Sequence, residues 1–454
     1  MARGHRPALS GPVDPASRAD VAAVWRIESA RIVGALARYT GDFALAEDLA
    51  QEALAEALVT WPRDGAPRNP AGWLLTVARR RAIDGFRRRA ALDDRYAALA
   101  RDLSEGGIVA GGAGTSRSNG VGAAASEDAG TSAHGDTDML WDPDLIDDDV
   151  LALMFISCHP VLSREARVAL TLRVVGGLTS DEIAKACLVP TATAQARITR
   201  AKKTLAAARV PFEVPPPEER AGRLVSVLSV IYVIFTEGSS ASSGDALIRV
   251  DLAREAQRLA RVLSRLMPRE PEVHGLLALL ELTAARFPAR TGPDGEPILL
   301  EQQDRRRWDR AAIVRGRAAL ARAAQVGRGL GTYGLQAAIA ECHCVAPSVE
   351  ETDWERVVLL YEALGRLAPS PVVELNRAVA VAMAQGPAAA LSIVDELAAS
   401  GALPTSHLLP TVRGELLTRL GRTSEARAEL EHAARLCANE RERSVLERKI
   451  GALG

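Results

Sequence analysis

Three carboxylates, Asp48, Glu52 and Glu56, recur every four residues, and six arginines, Arg79, Arg80, Arg81, Arg87, Arg88 and Arg89, follow shortly after. Acids at this spacing lie along one side of a helix. With the amide of Gln51 they form a stripe that pairs with arginines on a partner helix. Clustered guanidinium groups bind phosphate. Residues 43–89 therefore combine an acidic face suited to a basic protein surface with a basic face suited to nucleic acid. A second group of donors, Thr193, Gln195, Arg197, Arg200 and Lys203, lies farther along. Gln pairs with adenine and Arg with guanine in the major groove, and a lysine such as Lys203 meets phosphate. No Walker loop, GxSxG, HExxH or convincing pair of pocket carboxylates occurs, so no enzyme, cofactor or catalytic residue is expected.

These groups need helices to hold them. In residues 43–62, Leu54, Leu58 and Trp61 fall at i, i+4 and i+7, the period of an amphipathic helix. A Pro/Gly-rich turn leads into an arginine-rich helix with Trp73, Leu74, Val77 and Phe86 as apolar contacts; Trp73 is read as core. Ahead of both, residues 20–39 show a helical pattern with Val21, Val24, Trp25, Ile32, Leu36 and Tyr39 inward. Residues 1–19 are expected to be a flexible tail and 20–96 a small helical bundle. The Gly/Ser/Ala tract within 97–149 cannot bury enough surface to order itself and is expected to be a flexible linker. Its end carries Asp142, Asp144, Asp147, Asp148 and Asp149, read as a solvated acidic patch or, alternatively, as a phosphate mimic that shields a basic surface.

Residues 150–209 read as a second helical unit. Ser163 is placed to cap a helix, and Thr179 or Ser180 another that bears Ile183, Ala184 and Leu188. Pro190 breaks that helix and the next runs from about Thr191, a helix-turn-helix arrangement. From Pro160 to Arg209 there are nine basic and three acidic side chains, a local excess suited to DNA although the chain's net charge is −1.

Both units resemble bacterial sigma factors of the extracytoplasmic-function group. The A-E-D-L-x-Q-E pattern at 46–52 and the W-L…A-R…I-D…R-R-R pattern at 73–89 are similar to conserved region 2; the pattern L-T-S-D-E-I-A…V-P-T-A-T…R…R-A-K-K is similar to region 4. The resemblance implies that Asp48, Gln51 and Glu52 dock on core RNA polymerase. It implies that Asn69, Arg80, Asp84, Arg87 and Arg88 meet the −10 promoter element, the arginines on the backbone and Asn69 and Asp84 at an unstacked base. Thr193, Gln195, Arg197, Arg200 and Lys203 would meet the −35 element. Arg80 stands where the family usually has Asn.

Residues 210–220 are a Pro-rich linker, and 221–454 exceed what a minimal factor of this group needs. A nearly all-apolar helix is expected around residues 227–239, with amphipathic helices at 251–267 and 272–286 and a small hairpin at Pro293-Asp294-Gly295. The stretch Glu301, Gln302, Gln303, Asp304, Arg305 with Trp308 is read as a capped loop rather than a ligand site. Gly386 aligns over Gly421, a spacing close to the 34 residues of tetratricopeptide hairpins, with Ala378, Ala382, Ala390 and Ala426 where helices approach closely. The resemblance extends to a subgroup with such an extension, where it supplies regulation. The fold expected is all-α: a region 2 bundle, a region 4 helix-turn-helix domain and a tetratricopeptide-like helical-repeat domain.

The five cysteines have no framework spacing, which fits a reducing cytosol, and Cys342-His343-Cys344 lacks a second ligand pair, so no metal is expected. Without a signal-like N-terminus or a long uninterrupted apolar run, no membrane is expected and the location is read as cytoplasmic. The expected function is promoter recognition and transcription initiation with core RNA polymerase and promoter DNA as partners. The C-terminal repeats would regulate it, by folding over the DNA-binding faces or by binding a regulatory protein or the polymerase. The alternative is a helix-turn-helix regulator that acts without polymerase.

Overall fold

Ala, Leu, Arg and Glu dominate the chain and favour helix, and helices are the regular elements of the described residues of the computed structural model. It describes residues 15–105, 143–187, 189–239, 250–292, 298–327 and 329–453. No β-strand occurs among the described residues. The expected hairpin at 293–295, most of the expected linker, most of the N-terminal tail, Asp142 and Leu188 lie outside them. The chain forms two compact units: Met1–Thr179 with Gln195–Arg220, and Ser180–Ala194 with Ala221–Gly454.

In the first unit, α1 (Pro15–Thr40), α2 (Phe43–Asp64) and α3 (Pro70–Glu105) pack on one another. Asp42 caps α2 by accepting from the Ala44 and Leu45 amides at 2.9 and 3.1 Å, and Gly65 ends it with φ 84°, a conformation glycine adopts without a Cβ clash. The buried side of α2 differs from the expected leucine stripe. Ala46, Ala50, Ala53, Ala57 and Trp61 are buried, while Leu54 and Leu58 are half-buried on the flank. Small residues there let α1 approach along its length, so close packing of backbones takes precedence over side-chain size. Trp73 is half-buried, edge-on to Trp61 with centroids 5.5 Å apart.

Helix α3 runs past the expected end of the bundle at residue 96 to Glu105, and α4 (Pro143–Ser157) begins before residue 150. The solvated acidic patch is thereby corrected at one position. Asp149 is 5% exposed on α4, where its Oδ2 accepts from Arg38 Nε at 3.1 Å. Gly34 on α1 admits this contact, because a Cβ there would stand 2.9 Å from the Asp149 Cβ. Burial pushes the Asp149 carboxyl up to about 6, with Arg38 opposing the rise. Asp147 and Asp148 are exposed. Helix α5 (Arg164–Val174) is capped by Ser163, which accepts from the Ala166 amide at 3.3 Å.

Helices α6 (Ser180–Cys187) and α7 (Thr191–Ala207) meet the expected bounds of the helix-turn-helix; α7 passes from the second unit into the first at residue 195. Ala194, Ile198, Ala201 and Leu205 form its buried side.

The second unit continues with α8 (Pro217–Ser239), of which it holds the part from Ala221, then α9 (Val250–Leu266), α10 (Pro271–Ala284) and the single turn α11 (Phe287–Arg290). Among the described residues, α8 is the one helix long and apolar enough to cross a membrane; Leu224, Val227, Leu228, Ile231, Ile234 and Phe235 are buried in the protein, while Val225 is exposed. Each such buried side chain contributes about 1.5–3 kcal/mol. Gly238 lets α8 cross α9 closely, since a Cβ would lie 2.5 Å from the Ala253 nitrogen. The expected capped loop is two 3-10 turns, Leu300–Gln302 and Arg305–Arg307, leading to buried Trp308. Arg305 donates to the His343 and Ala346 carbonyls at 2.5 and 2.8 Å.

Then follow α12 (Arg310–Val326), α13 (Thr332–Val345), α14 (Trp354–Leu367), α15 (Pro371–Ala384), α16 (Pro387–Ala399), α17 (Leu408–Arg419), α18 (Thr423–Leu436) and α19 (Glu440–Ala452). Each packs on its sequence neighbour, giving stacked, tetratricopeptide-like helical hairpins. Gly386 and Gly421 have φ 97° and 75° and turn the chain into α16 and α18. Ala378, Ala382, Ala390 and Ala426 are all buried at the contacts. Gly414 serves the same closeness, its Cβ position lying 2.8 Å from Leu430.

Candidate nucleic-acid interface

The arginine helix presents a real face. At about 100° per residue, Arg80, Asp84, Arg87 and Arg88 fall within about 100° of arc on α3, and all four are exposed. Asn69 is apart from them. Its Oδ1 accepts from the Gly72 amide at 3.0 Å as the cap of α3, about 16 Å from Arg80 along the axis. Arg79 turns inward over the Tyr39 ring at 5.4 Å. Arg81 closes against the acidic stripe, donating to Glu52 at 2.8 Å and Glu56 at 2.7 Å, and these two bonds hold its guanidinium above the usual arginine range. A cleft of about 390 Å3 between α2 and α3 brings Glu52, Arg81, Asp84 and Arg88 together, so the acidic and basic faces meet at one lip.

The acidic stripe is divided. Asp48 is 62% exposed at its side chain but accepts from Lys202 Nζ at 2.6 Å. Gln51 is half-buried and Glu52 exposed. Beside them sits Glu47, which sequence reasoning passed over. Only 4% of its side chain is exposed; Oε1 accepts from Arg173 Nε at 3.1 Å and Oε2 from Lys202 Nζ at 2.8 Å. Burial lowers the affinity of Lys202 for its proton, and Glu47 and Asp48 more than offset this, leaving it above the usual lysine range. The signal was present: Glu47 shares a side of α2 with Leu54 and Leu58, where an acid interrupts an apolar stripe.

Helix α7 carries the second donor group. Gln195, Arg200 and Lys203 are exposed, and Thr193 and Arg197 half-buried. Arg200 and Lys203 occupy the outward side, while Gln195 and Arg197 flank it about 160° apart. A groove that received Arg200 would take Arg197 and Gln195 at its two walls. Glu165 is held below the usual carboxylate range by its own amide and Ser163, with Arg197 contributing. Cys342, His343 and Cys344 are successive residues of α13 and diverge: the His343 ring meets Trp354, and Cys344 Sγ donates to the Leu282 carbonyl at 3.5 Å.

Known proteins match the same parts of the chain. Residues 26–91 match Sigma-70 region 2, residues 152–205 match Sigma-70, region 4, and residues 223–324 match a family of unknown function, DUF6596. An uncharacterized protein of Rhizobium meliloti (strain 1021) is 41% identical over 433 residues, which covers 93% of each chain. Among solved structures, a tetratricopeptide repeat protein from Parabacteroides merdae ATCC 43184 is 11% identical, covering 56% of this chain and 93% of that one, with a TM-score of 0.33. Two sigma-70 regions in order, followed by a long helical unit, identify the chain: it belongs to the sigma-70 family as an extracytoplasmic-function-like sigma factor with a C-terminal extension.

Proposed function

We propose that this protein binds core RNA polymerase in the cytoplasm, recognises a two-part promoter and directs transcription initiation, while the C-terminal helical unit regulates that activity. The observation that carries this reading is the exposed face of Arg80, Asp84, Arg87 and Arg88 on α3, within a region 2 match that precedes a region 4 match. Arginines at that spacing hold a phosphate backbone, and Asp84 among them offers an acceptor to a base. Arg200 and Lys203 on α7 do the same for a second element. Asp48, Gln51 and Glu52 offer the polymerase a carboxylate–amide stripe, in which Asp48 is free to act once Lys202 releases it. The protein acts as a DNA-binding regulatory subunit without covalent chemistry.

The test is transcription reconstituted from core polymerase and a cognate promoter, with and without this protein. Initiation dependent on the protein is expected. Binding of duplex DNA by the protein alone, with no initiation by core enzyme, would instead establish a helix-turn-helix regulator.

A further inference from the structure

On the second unit an open cavity of about 340 Å3 lies between α11, residues 298–303, α17 and α19. That volume suits a small organic ligand. Two arginines line it, Arg286 and Arg290, four residues apart and on the same side of the chain. Arg286 lies over the Trp308 ring at 5.5 Å and its Nε reaches Gln303 Oε1 at 3.4 Å. Arg290 lies over the Phe287 ring at 5.9 Å and donates to the Ser239 carbonyl at 2.8 Å. Neither guanidinium forms an ion pair with a carboxylate among the described residues. Each therefore keeps most of its five donors unfilled.

Glu442 and Lys449 are the other charged groups of the lining. Glu442 lies 3.4 Å from His407 Nε2, and Lys449 is paired with Glu415. The rest of the lining is largely apolar, with Ile298 and Leu299 beside the arginines and Leu408 and Leu446 from α17 and α19. Two arginines that form no ion pair, bordered by apolar side chains, define the chemistry of the occupant. We propose that this cavity binds a small organic anion, its carboxylate or phosphate head held between Arg286 and Arg290 and its apolar body against those side chains. A planar guanidinium fork matches either head group in two-point fashion. The cost that an anion relieves is visible in both groups: burial, then the adjacent Arg290, pushes the Arg286 guanidinium down to about 10, and burial lowers Arg290 too, with the Glu442 carboxylate opposing that fall. This binding does not depend on the sigma role; the two readings stand or fall separately.

The experiment is calorimetric titration of the full-length chain with octanoate, octyl phosphate and, as the uncharged control, octanol. One saturable site for at least one of the two anions is expected, with octanol at least about tenfold weaker. Whichever anion binds more tightly identifies the head group. Arg286→Ala and Arg290→Ala should each weaken that anion at least about tenfold, with circular dichroism unchanged. Thr411→Trp, which fills the cavity from α17 and leaves both arginines in place, should abolish binding and keeps the test decisive if an arginine variant fails to fold. Absence of saturation by either anion, octanol binding as tightly, or unchanged affinity in the folded variants would overturn the proposal.

Discussion

Removing the Glu47 carboxylate should loosen the first unit far more than removing its neighbour Asp48. Glu47 is 4% exposed and is the shared acceptor of Arg173 at 3.1 Å and Lys202 at 2.8 Å, whereas Asp48 is 62% exposed and meets Lys202 alone. Glu47→Ala leaves Arg173, its side chain 17% exposed, without a carboxylate and Lys202, 14% exposed, with Asp48 alone. Breaking a buried pair from one side costs about 3–5 kcal/mol. The exposed Asp48 pair contributes about 0.2–1 kcal/mol, so Asp48→Ala should fall in that range. Lys202→Met keeps the apolar stem and leaves Glu47 its bond to Arg173, which places it between the two, at about 1–3 kcal/mol. Amide hydrogen exchange on peptides from α2, α5 and α7 of the full-length chain reads the opening free energy of this unit alone. A double-mutant cycle of Glu47→Ala with Lys202→Met should give a coupling of about 1–3 kcal/mol. If Glu47→Ala proved as mild as Asp48→Ala, or the coupling were under about 0.5 kcal/mol, the clasp would be a surface contact and the reasoning from burial would fail.

Under the proposed function, Lys202→Met also frees Asp48, so its binding to core polymerase should strengthen up to about fivefold, measured by fluorescence anisotropy; weaker binding would count against Asp48 as a docking residue. The raised carboxyl of Asp149 ties a proton more tightly in the folded than in the unfolded chain, so its contribution is full below about pH 4 and is lost as pH rises through about 6. Asp149→Asn should remove that part of the slope in exchange-derived stability of α1 and α4, and an identical slope in both proteins would refute it. His343 runs the other way. Burial, with Arg286 and Arg305 beside it, lowers it to about 4, so it favours folding above its unfolded value near 6.5 and that stability is lost as pH falls toward 4. His343→Gln should flatten this window in thermal denaturation of the second unit. Gly238→Val should cost about 1–3 kcal/mol by driving α8 from α9, with a matching fall in Tm; an unchanged Tm would show that the crossing can widen freely.

Much of this protein is legible in its sequence. Apolar period and caps placed the helices of the sigma-like units and the first helices of the extension: Ser163 caps where its type suggests, Pro190 breaks the helix-turn-helix, and Gly386 and Gly421 turn successive hairpins. These are local effects, decided by a residue and its neighbours within one turn. The grouping of Arg80, Asp84, Arg87 and Arg88 on one side of α3 was legible for the same reason. Asn69 shows the limit, since a polar residue ahead of a helix is as good a cap as a base reader, and its bond to the Gly72 amide was not determined by its type.

What only the tertiary structure decided is who faces whom across long sequence separations. The acids at 47 and 149 look like surface charge in the sequence; in the fold one is clasped by Arg173 and Lys202 and the other is buried against Arg38. The same holds for Arg286 and Arg290, ordinary arginines in an arginine-rich chain until α17 and α19 bring Leu408 and Leu446 into one cavity with them. Helix formation depends on neighbours in the chain, and charge depends on neighbours in space. The residue pattern therefore determined the helices and the sigma-70 regions, while burial and pairing, which set what each charge can do, came only with the packed structure.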